Sequence, residues 1–173
     1  MRFNVGDKAV YPGHGVGEIM GIEHQEIMGQ RLSFLVLQLL DKKTEKIFIP
    51  INKVNSVGLR DVIDEKEAKK VYRILRKKDV SVDATTWNRR YREYTEKVKT
   101  GSVFEIAEVL RDLYLLKFDK DLSFGERKMF DTARALLIKE LAIAKNCDEE
   151  QIEKDFVRIF TKSANAEKEK QAS

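Results

Sequence analysis

The spacing of apolar residues changes near Arg60, and this change constrains the fold more than any other feature of the sequence. Before that point, apolar residues form short runs between turn residues, and most of the nine glycines and both prolines lie there. After it, apolar residues recur every three or four positions, which is the period of an amphipathic helix. The sequence therefore predicts a strand-rich domain over residues 1–60 and a helical domain over residues 61–160.

The first 60 residues predict a small antiparallel barrel or curled sheet, because short apolar runs alternate with turn residues such as Pro12, Gly13 and Pro50. The predicted strands span residues 8–11, 17–27, 32–40 and 46–50, with a fifth over residues 56–59. The glycines of the segment 13–17 invite comparison with a nucleotide-binding loop. They fail the dinucleotide fingerprint because Glu18 stands where its third glycine belongs, so we assign them to tight backbone curvature between strands.

The helical half predicts about five helices, and together the two halves give an α+β fold class. The predicted helices span residues 64–78, 85–99, from 102 onward, 123–145 and from 148 onward. Asp64 is the predicted N-cap of the first helix. Ser102 with Glu105, and Ser123 with Glu126, have the spacing of a capping box. Residues 161–173 are small and polar, so we expect a disordered tail there.

Several function classes find no support in the sequence. The single cysteine, Cys147, excludes an internal disulfide, and with His14 and His24 it is too scattered to form a metal site. Neither histidine lies in a nucleophile-elbow or metalloprotease motif. We therefore predict no catalytic residue, no metal, no cofactor and no small-molecule substrate, and the chain is not expected to be an enzyme. It lacks an apolar run of about 18 residues and a signal-peptide pattern, so a cytoplasmic location is expected.

Positive charge is concentrated in one stretch of the chain. The net charge of the protein is +4, whereas residues 69–99 hold eleven lysines and arginines and four acidic residues. Within this stretch Trp87 precedes Arg89 and Arg92, and a flat apolar ring among cations suits a wedge at an unstacked base step of DNA. The alternative is that Trp87 belongs to the helical core, since it shares a stripe with Tyr91 and Tyr94.

The third and fourth strands carry apolar residues on both faces. Because strand side chains alternate, Leu35 and Leu37 compete with Phe34 and Val36 for the interior. A strand that is apolar on both faces is covered on both faces, and the second cover can be a partner protein that also pairs with a sheet edge. Packing of all these residues in the core is the alternative.

Five blocks carry a family resemblance: VGDKAVYPG at 5–13, IPINKV at 49–54, TTWNRRY at 85–91, IAEVLRDL at 106–113 and LSFGERKM at 122–129. On these blocks the chain resembles the CarD/CdnL family of bacterial transcription factors, most closely the CdnL-like branch. The resemblance implies a Tudor-like N-terminal domain that binds the RNA polymerase β subunit. It also implies a helical domain that contacts promoter DNA near the −10 element, at the upstream edge of the bubble. Some relatives have arginine where this chain has Gln25 and Phe48, which favours a more apolar contact with β.

The expected function is therefore that of a transcription regulator that stabilises the promoter open complex, with a tryptophan wedge. The predicted DNA-binding set is Trp87, Arg89, Arg90, Arg92, Lys97, Arg127 and Lys128. The predicted RNA polymerase-binding set is Arg31, Phe34, Val36, Lys46, Phe48 and Pro50. We expect a monomer that has no contact with a membrane. The alternative function is that of a ribosome- or RNA-associated Tudor-like binding module.

Overall fold

The computed structural model describes residues 2–42, 44–78 and 87–172, without the side chains of residues 87, 88, 119, 163–168, 170 and 171. The chain divides into two compact units, residues 1–62 and residues 63–173, close to the predicted boundary. In the described residues, five antiparallel strands are followed by five α-helices, which confirms the predicted α+β class. None of the described helices is both long enough and apolar enough to span a membrane.

The N-terminal unit is an antiparallel sheet with strand order β4-β3-β2-β1-β5. Its strands are β1 (Lys8–Tyr11), β2 (Gly15–Ile27), β3 (Gln30–Leu39), β4 (Lys46–Pro50) and β5 (Arg60–Asp61). One buried cluster joins Ile49 of β4 to Leu35 of β3 and to Leu59, which directly precedes β5. Because the two ends of the sheet contribute to one core, the sheet curls around its apolar face, as a small barrel does.

Two glycines of the segment 13–17 have the structural role that the sequence predicts. Gly13 has a φ angle of +80°, a conformation that side chains disfavour, in the turn between β1 and β2. At Gly17 an added Cβ would lie 2.6 Å from Cγ of Leu37 and 2.9 Å from the backbone oxygen of Gln38. The close approach of β2 and β3 therefore requires the absence of a side chain.

The fifth strand differs from its prediction. Residues 56–59 lie in a turn region that follows a single 3-10 turn over Ile51–Lys53, and Gly58 has a φ angle of +77°. The strand forms instead at Arg60–Asp61, where Val10 pairs with Arg60 and Ala9 with Asp61. Position beside β1, and not local composition, selects the residues that pair.

The helices of the C-terminal unit are α1 (Glu65–Arg76), α2 (Trp87–Lys99), α3 (Val103–Asp119), α4 (Phe124–Ala144) and α5 (Glu149–Ala172). Helix α3 lies at the centre, since Val109, Leu110 and Leu113 are fully buried. The sequence predicts a disordered tail from residue 161, whereas α5 continues through Ala172. The tail is rich in alanine, lysine and glutamate, which are strong helix formers, and this allows the helix to extend from its packed first half.

The two predicted capping boxes have different outcomes. Ser123 accepts a hydrogen bond from the Glu126 backbone N–H at 3.3 Å, and the Glu126 carboxylate accepts one from the Ser123 N–H at 3.0 Å. At the N-terminus of α3, Ser102 makes no side-chain capping bond, and the Glu105 carboxylate accepts the Thr100 hydroxyl instead. The box at Ser102 was therefore predicted wrongly, because a nearby hydroxyl competes for the acid. The predicted N-cap at Asp64 is confirmed, because its carboxylate accepts a hydrogen bond from the Glu67 backbone N–H.

Candidate nucleic-acid and protein interfaces

Helix α2 divides the predicted DNA-binding arginines between its two faces. Arg89 and Arg92 are exposed. Arg90 is only 6% exposed, and its guanidinium lies 3.6 Å from a carboxylate oxygen of Glu126. The structure therefore contradicts Arg90 as a phosphate ligand, because α4 covers it. Trp87 is the first residue of α2, but its side chain lies outside the described residues, so the choice between wedge and core stays a prediction.

Glu126 is the centre of a buried charge cluster that the sequence identifies only as a cap. Its side chain is 1% exposed, and Nζ of Lys120 donates to its Oε1 at 3.0 Å. Arg90 is the fourth residue of α2 and Glu126 the third of α4, so their ion pair places the N-termini of the two helices side by side. The sequence alone does not reveal the Arg90–Glu126 ion pair, because residues on separate helices that pack together have no fixed spacing along the chain.

The electrostatics of this cluster favour an ionised Glu126. Burial raises the pKa of Glu126, but the hydrogen bond from the Ser123 backbone and the ammonium of Lys120 lower it, and the pKa lies below its ordinary value. A carboxylate that accepts several hydrogen bonds and faces two cations is held in its charged form. The cluster therefore forms a buried ionic joint between α2 and α4.

Around this joint the first turn of α4 presents further surface residues. Arg127 and Lys128 are exposed, as the DNA-binding prediction requires. Phe124, the first residue of α4, is 87% exposed, which is unusual for a ring that has no polar group. The sequence prediction missed Phe124. Its position directly after the N-cap Ser123, away from the apolar stripe of α4, could have indicated that the ring is exposed. Arg89, Arg127 and Phe124 thus belong to the first turns of two adjoining helices, where the helix dipoles add positive potential, and Lys128 follows directly after the first turn of α4.

Lys97 is held within the helical unit. Its ammonium lies 3.0 Å from Glu108 and 3.6 Å from Glu93. Burial lowers the pKa of Lys97, but the hydrogen bond and charge of Glu108 outweigh it, so the pKa is raised. Because its charge is already balanced by two acids, Lys97 is less suited to a phosphate than Arg89 or Arg92.

The outer face of the sheet carries the predicted apolar patch. The register pairs Phe34 with Pro50 and Val36 with Phe48, so the four side chains share one face. Phe48 is 43% exposed, and Phe34 and Pro50 are half-buried. Lys46 is exposed on the same face, opposite Gln38.

Two members of the predicted polymerase-binding set do not fit an exposed patch. Val36 is only 2% exposed, although it shares this face with Phe34 and Phe48. Arg31 alternates with Leu32 and Phe34, and therefore points to the opposite face of β3. Leu32, which is 38% exposed and lies on the patch face, was missed. We define the outer patch as Leu32, Phe34, Phe48 and Pro50.

The patch adjoins an edge of the sheet. In the described part of the chain, β4 is an end strand of the sheet and pairs with β3 alone. Its outer edge therefore presents backbone N–H and C=O groups to a partner strand.

The sheet also brings together a histidine and a serine that are nine residues apart. Nδ1 of His24 lies 2.7 Å from Oγ of Ser33 across β2 and β3, at a cavity of about 580 Å³ that Phe3 and Val54 help to line. Nucleophilic catalysis needs a third group that orients the histidine. Among the described residues, no carboxylate hydrogen-bonds His24, and no group of three His, Cys, Asp or Glu residues is arranged to hold a metal ion.

Comparisons with known proteins identify both units. A family model described as the CarD-like/TRCF RID domain matches residues 3–63, and a model described as the CarD C-terminal domain matches residues 70–156. The chain belongs to the CarD family. The CarD-family assignment is supported by the "Putative transcription factor YdeB" of Bacillus subtilis (strain 168). That protein is 37% identical over 150 residues, which cover 87% of this chain and 97% of the relative.

The CarD-family chain also resembles part of a much longer protein. The "Transcription-repair-coupling factor" of Staphylococcus epidermidis is 28% identical over 130 residues, which cover 75% of this chain but only 10% of that protein. Among solved structures, "CdnLNt from Myxoccoccus xanthus" is 63% identical, with a TM-score of 0.33, and covers 38% of this chain and 90% of its own. The two family models and the similarity to YdeB make the chain a member of a transcription-factor family, as the resemblance predicted.

Proposed function

We propose that this CarD-family protein stabilises opened promoter DNA with its helical unit while its sheet unit binds the β subunit of bacterial RNA polymerase, in the cytoplasm. The observation that carries the proposal is the surface around the Arg90–Glu126 joint. There the exposed cations Arg89, Arg127 and Lys128 and the exposed aromatic ring of Phe124 all lie near the N-termini of α2 and α4, which the Arg90–Glu126 pair joins. Cations at helix N-termini bind phosphates, and a flat ring covers a base step that has lost its stacking partner.

The proposed mechanism has two parts. Arg89, Arg92, Arg127 and Lys128 hold the backbone near the fork, in a manner that depends little on base sequence. A ring from the first turn of α2, that of Trp87, fills the gap left by unstacking, and opposes collapse of the bubble by a few kcal/mol. A change of about 1.4 kcal/mol alters the equilibrium constant of opening tenfold, so a single ring suffices for regulation.

We assign polymerase binding to the outer patch and the β4 edge. The patch offers Phe48 as an apolar anchor, and the adjoining edge offers backbone groups for strand addition. A match to the RID model supports this assignment, because the RID of the coupling factor is an RNA polymerase β-interacting domain. Docking through this unit makes DNA binding by the other unit effectively intramolecular, so that a weak DNA contact is sufficient.

The test of the DNA assignment uses the lifetime of open promoter complexes after competitor challenge. We expect Trp87→Ala to shorten the lifetime while β-subunit affinity and melting temperature stay close to those of the unmodified protein. If Trp87 is core instead, its truncation costs about 3–5 kcal/mol of unfolding free energy and lowers the melting temperature. A stable Trp87→Ala variant with unchanged open-complex decay would remove Trp87 from the mechanism.

The test of the polymerase assignment compares two aspartate substitutions in the full chain. Phe48→Asp should abolish binding to isolated β subunit. Ile22→Asp is the matched control, because Ile22 is 46% exposed and lies on the other face of the sheet, where it pairs with Leu35 across β2 and β3. A folded Phe48→Asp variant that still binds β would refute the assigned surface, and copurification with ribosomal particles in place of polymerase would favour the alternative function.

A further inference from the structure

The basic stretch of the sequence contains six cations on or just after α1 that the surface around α2 and α4 does not use. They are Lys69, Lys70, Arg73, Arg76, Lys77 and Lys78, all exposed. Two cavities lie beside them, one of about 370 Å³ and one of about 240 Å³, and Arg76 lines both. The two cavities therefore adjoin at Arg76, and we call them together the α1–α5 groove.

The groove collects cations from three helices. The cationic side chains that line the two cavities are Lys69, Arg73, Arg76, Lys78, Lys145, Arg158 and Lys162. Glu65 is the one acid among the lining residues of these cavities. Two cations in the last turn of α1, Arg73 and Arg76, also complement its dipole. That local role does not account for Arg158 and Lys162 on α5, which face the same groove from another helix.

The floor of the groove is fixed by a hydrogen-bonded network. The Tyr72 hydroxyl donates to Asp155 at 2.6 Å, and Nζ of Lys145 lies 3.4 Å from the same carboxylate and 4.4 Å from the centre of the Tyr72 ring. Burial raises the pKa of Tyr72, and its bond to Asp155 raises it further, so the floor keeps a neutral hydroxyl. In the described residues, no ion pair involves Lys69, Arg73 or Arg158, so their charges are available at the rim.

The lining chemistry favours a phosphate backbone over a protein partner. Protein interfaces place aromatic and apolar groups at their centre and deplete lysine. The apolar and aromatic residues that line this groove, Ala68, Tyr72 and Ile159, are themselves buried, whereas its seven cationic residues are exposed. A groove with such an excess of positive charge suits a polyanion with regularly spaced charges.

The groove lies at the other end of α4 from the surface proposed to bind the fork. Lys145 follows the last residue of α4, whereas Arg127 is in its first turn. Their separation of eighteen positions along the chain corresponds to about 27 Å of helix. At about 3.4 Å per base pair, this distance is about eight base pairs of duplex.

We propose that the α1–α5 groove is a second phosphate-binding surface, which holds fully paired duplex DNA several base pairs from the fork. The inference rests on the proposed function, because the partner is the same promoter DNA. It adds a sequence-independent contact with duplex DNA, which lets the protein remain bound before the bubble forms.

The experiment measures binding of the full chain to a short duplex and to a fork of the same length, between about 50 and 200 mM salt. Arg73→Gln/Arg158→Gln removes one cation from each cavity. We expect weaker binding to both DNAs and an unchanged ratio of fork to duplex affinity. The salt slope, which is the slope of the logarithm of the binding constant against the logarithm of the salt concentration, should fall in magnitude by about 1.8. The matched control is Lys8→Gln/Lys154→Gln, which removes two exposed cations outside the groove and should leave the slope close to that of the unmodified protein.

Two results separate this inference from the proposed function. If Arg73→Gln/Arg158→Gln binds duplex with the slope of the control, the groove is not a phosphate site and the inference is overturned. If Arg89→Gln/Arg127→Gln leaves the preference for fork over duplex intact, the fork surface is wrong, whereas a groove-dependent slope on duplex still supports the inference. A circular dichroism melt of each variant confirms that the fold is retained.

Discussion

Replacing Glu126 with glutamine tests whether the buried joint holds α2 against α4. The substitution keeps the size of the side chain and an oxygen that can accept the Ser123 N–H, but it removes the negative charge opposite Arg90. Arg90 and Glu126 side chains are 8% and 1% exposed, so little water is available to compensate. Removing one partner of a buried ion pair costs about 3–5 kcal/mol.

The expected loss is large enough to separate the joint from the cap. Loss of the cap alone, in Ser123→Ala, should cost about 1 kcal/mol. The matched control Glu150→Gln makes the same chemical change in an exposed pair, with Lys154 at 3.6 Å, and should cost less than about 1 kcal/mol. For a unit of this size, a loss of 3–5 kcal/mol lowers the melting temperature by about 12 °C or more.

Urea unfolding monitored by circular dichroism measures these differences, and a double-mutant cycle with Arg90→Met isolates the pair. The double variant removes both charges, so it should be less destabilised than the two single changes added together. If Glu126→Gln is as mild as Ser123→Ala, the capping bond and not the ion pair carries the stability, and the joint has no special role. Open-complex decay measured on the same variant then reports whether alignment of the two helix N-termini matters for DNA.

Three further predictions follow from other observations. The pKa of folded Glu126 lies below the ordinary 4.5, so the stabilisation by its charge is complete above pH 4.5 and is lost as the pH falls through the folded pKa. The unfolding free energy of the native protein should therefore fall more steeply with decreasing pH in this range than that of Glu126→Gln. Gly17→Ala places a Cβ 2.9 Å from the Gln38 backbone oxygen and should cost about 1–3 kcal/mol in thermal unfolding, and a cost near zero would contradict the close approach of β2 and β3. Removal of one cation by Arg92→Gln should reduce the salt slope of fork binding by about one, and an unchanged slope would exclude Arg92 as a phosphate ligand.

Features encoded by neighbouring residues could be predicted from the sequence. The change of period near Arg60 predicted two units, and the helices begin and end close to their predicted positions because caps and apolar stripes act within one turn. The capping box of Ser123 with Glu126 was predicted correctly for this reason. The box at Ser102 failed because the Thr100 hydroxyl competes for Glu105, a contact that the capping pattern does not contain.

The orientation of individual site residues was decided by tertiary structure. Arg89, Arg90 and Arg92 are alike in a basic stretch, but only the packing of α4 against α2 buries Arg90 on Glu126 and leaves its neighbours exposed. Likewise, the apolar pattern of β3 predicts two apolar faces. Only the tertiary structure shows that Val36 is buried while Phe48, its partner on β4, remains exposed. Local sequence determines which residues share a face, and the partner across the fold determines whether that face reaches solvent.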